Sequence, residues 1–115
     1  MNWFNELPPV YLHRAPVDFR KAVNGLSIIV EQEMGLSPYA QALFVFCNRN
    51  RDRIKVLHWD TTGFVLWYKR LEKDRFKWPV KTDQVVMNIT DLELNNLLDG
   101  LSIERHKALK YQAVS

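Results

Sequence analysis

Thirteen carboxylates, three histidines and a single cysteine are the groups through which this chain of 115 residues could do acid, base, metal or nucleophilic chemistry. Asp52, Asp60, Asp74 and Asp83 are numerous enough for a two-metal site that activates an attacking group against a phosphate. Their surroundings argue against it. Asp52 and Asp74 stand in turn-like, Lys/Arg-rich stretches where solvated ion pairs are the ordinary outcome, and no spacing sets three carboxylates on neighbouring strand ends. Cys47 ends the apolar run "ALFVFC", so desolvation should raise its pKa and leave an inert thiol. His58, beside Trp59 and Asp60, has the chemistry of a general base, but a histidine in a strand is more often a packed or solvent-facing residue. There is no Gly-x-Ser-x-Gly elbow, no Gly-rich phosphate loop and no zinc-ligand spacing among His13, Cys47, His58 and His106. The expectation is a protein that is not an enzyme and uses no cofactor or metal.

The cations carry more information. Residues 58–79, "HWDTTGFVLWYKRLEKDRFKWP", hold three tryptophans, two phenylalanines, a tyrosine and five Lys/Arg. Either the rings build the core while the cations are solvated, or some of both form a surface that meets a polyanion. Net charge is +3, distributed as −1 over residues 1–48, +6 over 49–81, −5 over 82–104 and +3 over 105–115. Such a chain presents a directional field unless folding sets the acidic segment beside the basic one and cancels it. The candidate phosphate-holding residues are Arg49, Arg51, Arg53 and Lys55, together with Lys69, Arg70, Lys73, Arg75 and Lys77. An exposed ring such as Trp78 would add stacking on a single strand.

Positioning these residues requires a particular set of elements. A chain of this length fits one domain over residues 1–115, able to bury about two thirds of its unfolded surface. "VYLHR" at 10–14 reads as a first strand, since Pro16 favours extended backbone before it. Asp18 is placed to cap a helix running to about residue 34, with Phe19, Ala22, Val23, Leu26, Ile29 and Val30 on its apolar face and Gly35 at its end. "ALFVFCNRNRDRIKVLHWD" reads as two strands joined at Asn48–Asp52, and "TTG" at 61–63 turns the chain into a third strand, "FVLWYKRLE". That third strand is apolar on both faces at its start, so it calls for cover on both sides. Thr90 and Glu93 form a capping-box pair before Leu94, Leu97, Leu98 and Leu101, which make the second cover, and "VVMNI" at 85–89 adds an edge strand. The predicted class is α+β: a central antiparallel β-meander with an N-terminal and a C-terminal helix packed on it, and residues 105–115 as a flexible or weakly helical tail. In an antiparallel meander the 49–53 tip and the end of the third strand lie at one end, which would merge the two basic clusters. No stretch has the roughly 18 apolar residues of a membrane span and the N-terminus lacks a secretory pattern, so the expectation is a cytoplasmic protein without a membrane partner.

Three stretches carry a family resemblance: "VYLHRAPVDFRKAVNGL" at 10–26, "LFVFCNRNRDRIKVLHWD" at 43–60 and "GFVLWYKRLEKDRFKWP" at 63–79. With "DLELNNLLDGL" they resemble the small TnpB, or second-open-reading-frame, accessory proteins of bacterial insertion sequences of the insertion-sequence-sixty-six type. The resemblance implies a non-catalytic role in transposition beside a separate, larger transposase, and carries over no catalytic residue. The matching strings contain Arg20, Lys21, Asn48, Arg49, Asp52, Arg53, Lys55, Trp59, Asp60, Trp67, Lys69, Arg70, Arg75 and Trp78, with the cations as functional candidates and the rings mostly as core. The implied partners are DNA and the transposase of the same element. An alternative is a protein-interaction module that docks the transposase or self-associates without touching DNA.

Overall fold

Five consecutive apolar residues, Leu43–Cys47, form strand β2, and every one of them is buried. A strand with no polar face must be covered on both sides, and the chain supplies two layers to do so. The computed structural model describes residues 8–79 and 83–103. Around β2 run β1 (Val10–His13), α1 (Val23–Gln32), β3 (Arg53–Asp60), β4 (Gly63–Arg70), β5 (Val86–Ile89) and α2 (Asp91–Leu98). The sheet order is β4-β3-β2-β1-β5. The predicted α+β class and the antiparallel β2-β3-β4 meander are both present, with Phe44 opposite Leu57 and Val56 opposite Trp67.

One pairing was not foreseen. β1 lies parallel to β2, with Tyr11 opposite Phe44, and α1 is the crossover that a parallel pair requires. β5 then closes the other edge by pairing antiparallel with β1. One face of the sheet is covered by Leu26, Ile29 and Val30 of α1, which pack with Phe44, Phe46 and Leu57. The opposite face is covered by Leu94 and Leu97 of α2, with Phe76, Trp78 and Ile103, over Val45, Cys47, Ile54 and Val56. The capping box of α2 is formed in both directions, Glu93 N–H donating to Thr90 Oγ1 and Thr90 N–H to Glu93 Oε1. His13, buried at the end of β1, reaches Ala15 O at 2.8 Å and Glu33 Oε1 at 3.0 Å, which ties β1 to the end of α1.

The first helix begins later than its apolar spacing predicts. α1 starts at Val23, its N-cap is Ala22 without a side-chain hydrogen bond, and Asp18 instead turns on itself to accept from Arg20 N–H. The cause lies on β3, on the same face of the sheet: Lys55 Nζ donates to Phe19 O at 2.9 Å and Lys21 O at 2.8 Å. Those carbonyls are thereby taken from the helical ladder, and residues 18–22 form a turn. Gly35 does end the helix region as expected, at φ +67°, where a side chain would be strained. The tail predicted for residues 105–115 lies outside the described residues.

Two stability measurements follow. In urea titrations Thr90→Ala should cost about 1 kcal/mol through the lost cap, and Leu97→Ala about 2–5 kcal/mol through the cavity it leaves. Burial lowers the Lys55 pKa from its ordinary value, so the folded state holds this proton less tightly than the unfolded chain does. Stability from this group therefore rises with pH, from its lowered folded value up to the unfolded value near 10.5. Lys55→Met should destabilise by about 1–3 kcal/mol at neutral pH, by stripping two carbonyls of their donor. Wild type should then gain on the variant as pH rises through that window.

Candidate nucleic-acid interface

The tip between β2 and β3 is built by one side chain. Asn48 Oδ1 accepts from Asp52 N–H and Arg53 N–H, both at 3.1 Å, while its Nδ2 donates to Asp52 Oδ1 at 2.7 Å. Arg51 takes a left-handed conformation, φ 61°, and its N–H donates to Asn48 O. The Asn48 amide, with the Arg53 and Arg70 charges nearby, holds the Asp52 carboxyl below its ordinary value. This closed turn fixes the backbone that carries Arg49, Asn50 and Arg51.

The second cluster meets the first. Arg53 and Arg70 are directly opposite in the β3-β4 register, and the chain then stays against the tip, Leu71 N–H donating to Asp52 O at 2.8 Å and Phe76 N–H to Arg51 O at 2.7 Å. Two like charges facing each other across a ladder oppose pairing, an arrangement the sheet tolerates at its end. Burial alternates over residues 75–78. Phe76 and Trp78 are buried at 2% and 5% exposure, whereas Arg75 and Lys77 are exposed. Each inward ring thus throws its neighbouring cation outward.

Four of the sequence-based expectations need correction or refinement. Trp78 offers no stacking face, because it is buried and its Nε1–H donates to Arg14 O at 2.9 Å. Lys55 is not on the basic surface: it is 8% exposed, bonded to two carbonyls, and stands 4.8 Å from the centre of the Phe19 ring. A lysine stem on an inward-facing strand position runs under the loop instead of out to water. Lys69 is committed as well, its Nζ donating to Leu98 O at 2.8 Å, where a cation neutralises the carbonyl end of α2. Arg70 is exposed but shared with Glu72 at 2.8 Å, a surface pair of small worth. Arg49, Arg51, Arg53, Lys73, Arg75 and Lys77 form no salt bridge among the described residues.

Arg20, already a candidate among the cations of the family-like strings, lies with the group. The turn before α1 places it beside the tip, where Pro16–Arg20 and Asn48, Arg49, Asn50 and Arg53 line a cleft of about 600 Å³. Lys55 holds the carbonyls on either side of Arg20, Phe19 O and Lys21 O.

The other chemically suggestive residues are packed. Burial pushes the Cys47 thiol up to about 12, which leaves it unreactive at neutral pH. His58 Nδ1 lies 3.2 Å from Ala42 O. Trp67 packs on the α2 face, and Trp59 makes edge contacts with Phe64 and Tyr39. Among the described residues no three His, Cys, Asp or Glu side chains gather as a metal site would need, and no helix is long and apolar enough to cross a membrane.

With this geometry in place, the comparisons identify relatives. An uncharacterized protein, y4jC, of Sinorhizobium fredii (strain NBRC 101917 / NGR234) is 35% identical over 92 residues, spanning 80% of this chain and 78% of that protein. A second uncharacterized protein of the same strain, y4hO, is 32% identical over 92 residues, spanning 80% and 79%. No solved structure matches the chain. The family model described as IS66 Orf2 like protein matches residues 8–108, which takes in both helices, all five strands and the whole basic end, and the chain belongs to that family.

Proposed function

We propose that this protein is a non-catalytic accessory factor of insertion-sequence transposition that holds DNA through its basic end within a transposase complex. Family membership implies the accessory role. The observation that supports the DNA contact is the convergence of the 49–53 tip with residues 70–77, through the Arg53–Arg70 register and the Phe76–Arg51 hydrogen bond. Arg49, Arg51, Arg53, Lys73, Arg75 and Lys77 carry charge that no acidic side chain among the described residues neutralises by contact. Cations so placed bind phosphates without reading bases, and their binding releases condensed counterions. Lys55 and Lys69 belong to the architecture and should contribute nothing to that salt dependence.

Binding of labelled duplex and single-stranded DNA across a salt series tests the reading. Wild type should bind with a steep salt dependence, and an Arg49/Arg51/Arg75/Lys77 to Ala variant should lose about one unit of slope per phosphate contact removed. Lys69→Met should leave the slope unchanged. Absence of binding at low salt by folded wild type would overturn the DNA reading.

A second reading, a module that docks the transposase or another copy without DNA, is favoured by the free side of β4. This edge strand of eight residues carries Phe64, Val65, Leu66 and Trp67, all half-buried, beside an aromatic group in which Tyr39 is 59% exposed. Long apolar edges invite strand addition. Under this reading Val65→Lys should abolish co-purification with the transposase, or a sedimenting dimer, while DNA affinity stays the same.

A further inference from the structure

The cleft beside the tip shares Arg49 and Arg53 with the basic end, and the turn before α1 lines its other side. It lies at the carboxyl ends of β1 and β2, the adjacent parallel pair, between the segment after β1 and the tip after β2, which Val17 N–H joins by donating to Cys47 O at 2.9 Å. The carboxyl ends of parallel strands are where crossover units leave room for ligands. Three guanidinium groups, from Arg20, Arg49 and Arg53, and one carboxylate, from Asp18, line the opening, with the Asn48 amide among them.

Their partners differ in a telling way. Arg20 and Asp18 are locked together, Arg20 Nη2 to Asp18 Oδ2 at 2.6 Å and Nε to the same oxygen at 2.9 Å. The Arg20 guanidinium holds the Asp18 carboxyl down to about 2, so it stays ionised and its charge is spent on Arg20. Arg49 is exposed and makes no salt bridge. Arg53 is half-buried, and its Nε is shielded from water with no hydrogen-bond partner among the described residues. A buried donor on a charged group without an acceptor is costly, and such groups in folded proteins usually have an explanation. The nearby acceptors are turned elsewhere: Asn48 Oδ1 accepts from the Asp52 and Arg53 N–H groups, Asp52 Oδ1 accepts from the Asn48 amide, and no side chain among the described residues accepts from Arg53 Nε.

We infer that this cleft is a phosphate-binding site, in which a phosphate group of a nucleic-acid strand sits between Arg49 and Arg53 and the adjoining sugar or base lies against Pro16, Val17 and Phe19. The inference rests on the nucleic-acid reading and deepens it, because it assigns one strand phosphate to a built cavity and leaves Lys73, Arg75 and Lys77 as exchangeable backbone contacts. The outer nitrogens of an arginine donate to phosphate oxygens, and the volume of about 600 Å³ admits a nucleotide unit. Lys55 acts as a positioning residue, fixing the Phe19 and Lys21 carbonyls so that Arg20 and Phe19 form one wall.

The test follows the Arg53 Nε–Hε resonance of isotope-labelled full-length protein during titration with the 5′-phosphorylated dinucleotide pTpT and, separately, with inorganic phosphate. The expected result is a saturable shift with pTpT at lower concentration than inorganic phosphate requires. Arg53→Gln and the exposed-site variant Arg49→Gln should each weaken pTpT binding by about ten-fold or more. Equal midpoints for pTpT and inorganic phosphate would overturn the strand as the source of the phosphate. A resonance that moves with neither probe, while the wild-type protein still binds duplex, would overturn the cleft and leave the basic-end reading standing. Saturable pTpT binding without any duplex or single-strand binding would overturn the basic-end reading and leave the cleft.

Discussion

Burial of β2 on both faces is the constraint from which the remaining structure follows. Leu43, Val45 and Cys47 face one way and Phe44 and Phe46 the other, so neither side of the central strand can meet water. A helix is required over each face. α1 meets the first requirement and, as the link between parallel neighbours, also brings the carboxyl ends of β1 and β2 together. Covering the second face falls to α2 and the segment holding Phe76 and Trp78, which draws the chain after β4 back across the tip. The basic end is thus a by-product of how the core is sealed.

That origin explains the interleaving of rings and cations in residues 58–79. Over 75–78 burial alternates, with Trp78 N–H donating back to Phe76 O, so a buried Phe76 and a buried Trp78 leave Arg75 and Lys77 in solvent. Further back, on β4, the same alternation divides Phe64 and Leu66 from Trp67 and Leu71 between the two covered faces. Most of these rings are packed, with Tyr68, 47% exposed two positions before Arg70, as an exception. The rings fix the strand, and the fixed strand limits how far the cations can spread.

Much of the fold was legible because its signals are local. Turn residues at 48–52 and 61–63, the period of two in the meander and the Thr90–Glu93 box all act within a few positions, and each formed where the sequence placed it. The late start of α1 was not legible, since it depends on Lys55, a residue 34 to 36 positions away that draws off the Phe19 and Lys21 carbonyls. Parallel pairing of β1 with β2 is equally non-local. For the candidate site the sequence named the right neighbourhood but could not tell a solvated lysine from a structural one. Lys55 and Lys69 look like Lys73 and Lys77 in any window of charge, and only the carbonyls within reach of each ammonium separate them.

That separation has an energetic logic. Holding Arg49, Arg51, Arg53 and Arg70 close together at one end costs repulsion, which the compact state must offset elsewhere. The protein limits this cost in two ways. It sets Lys55 and Lys69 against carbonyl oxygens, so that two charges of the same segment are screened by backbone dipoles within the fold, and it pairs Arg20 with Asp18 and Arg70 with Glu72 at the margin. What remains unpaired is concentrated at the tip and along 73–77, on backbone held by Asn48 and by the buried rings. Charge left unneutralised on rigid backbone loses little conformational freedom when an anion arrives, so more of the attraction survives as binding.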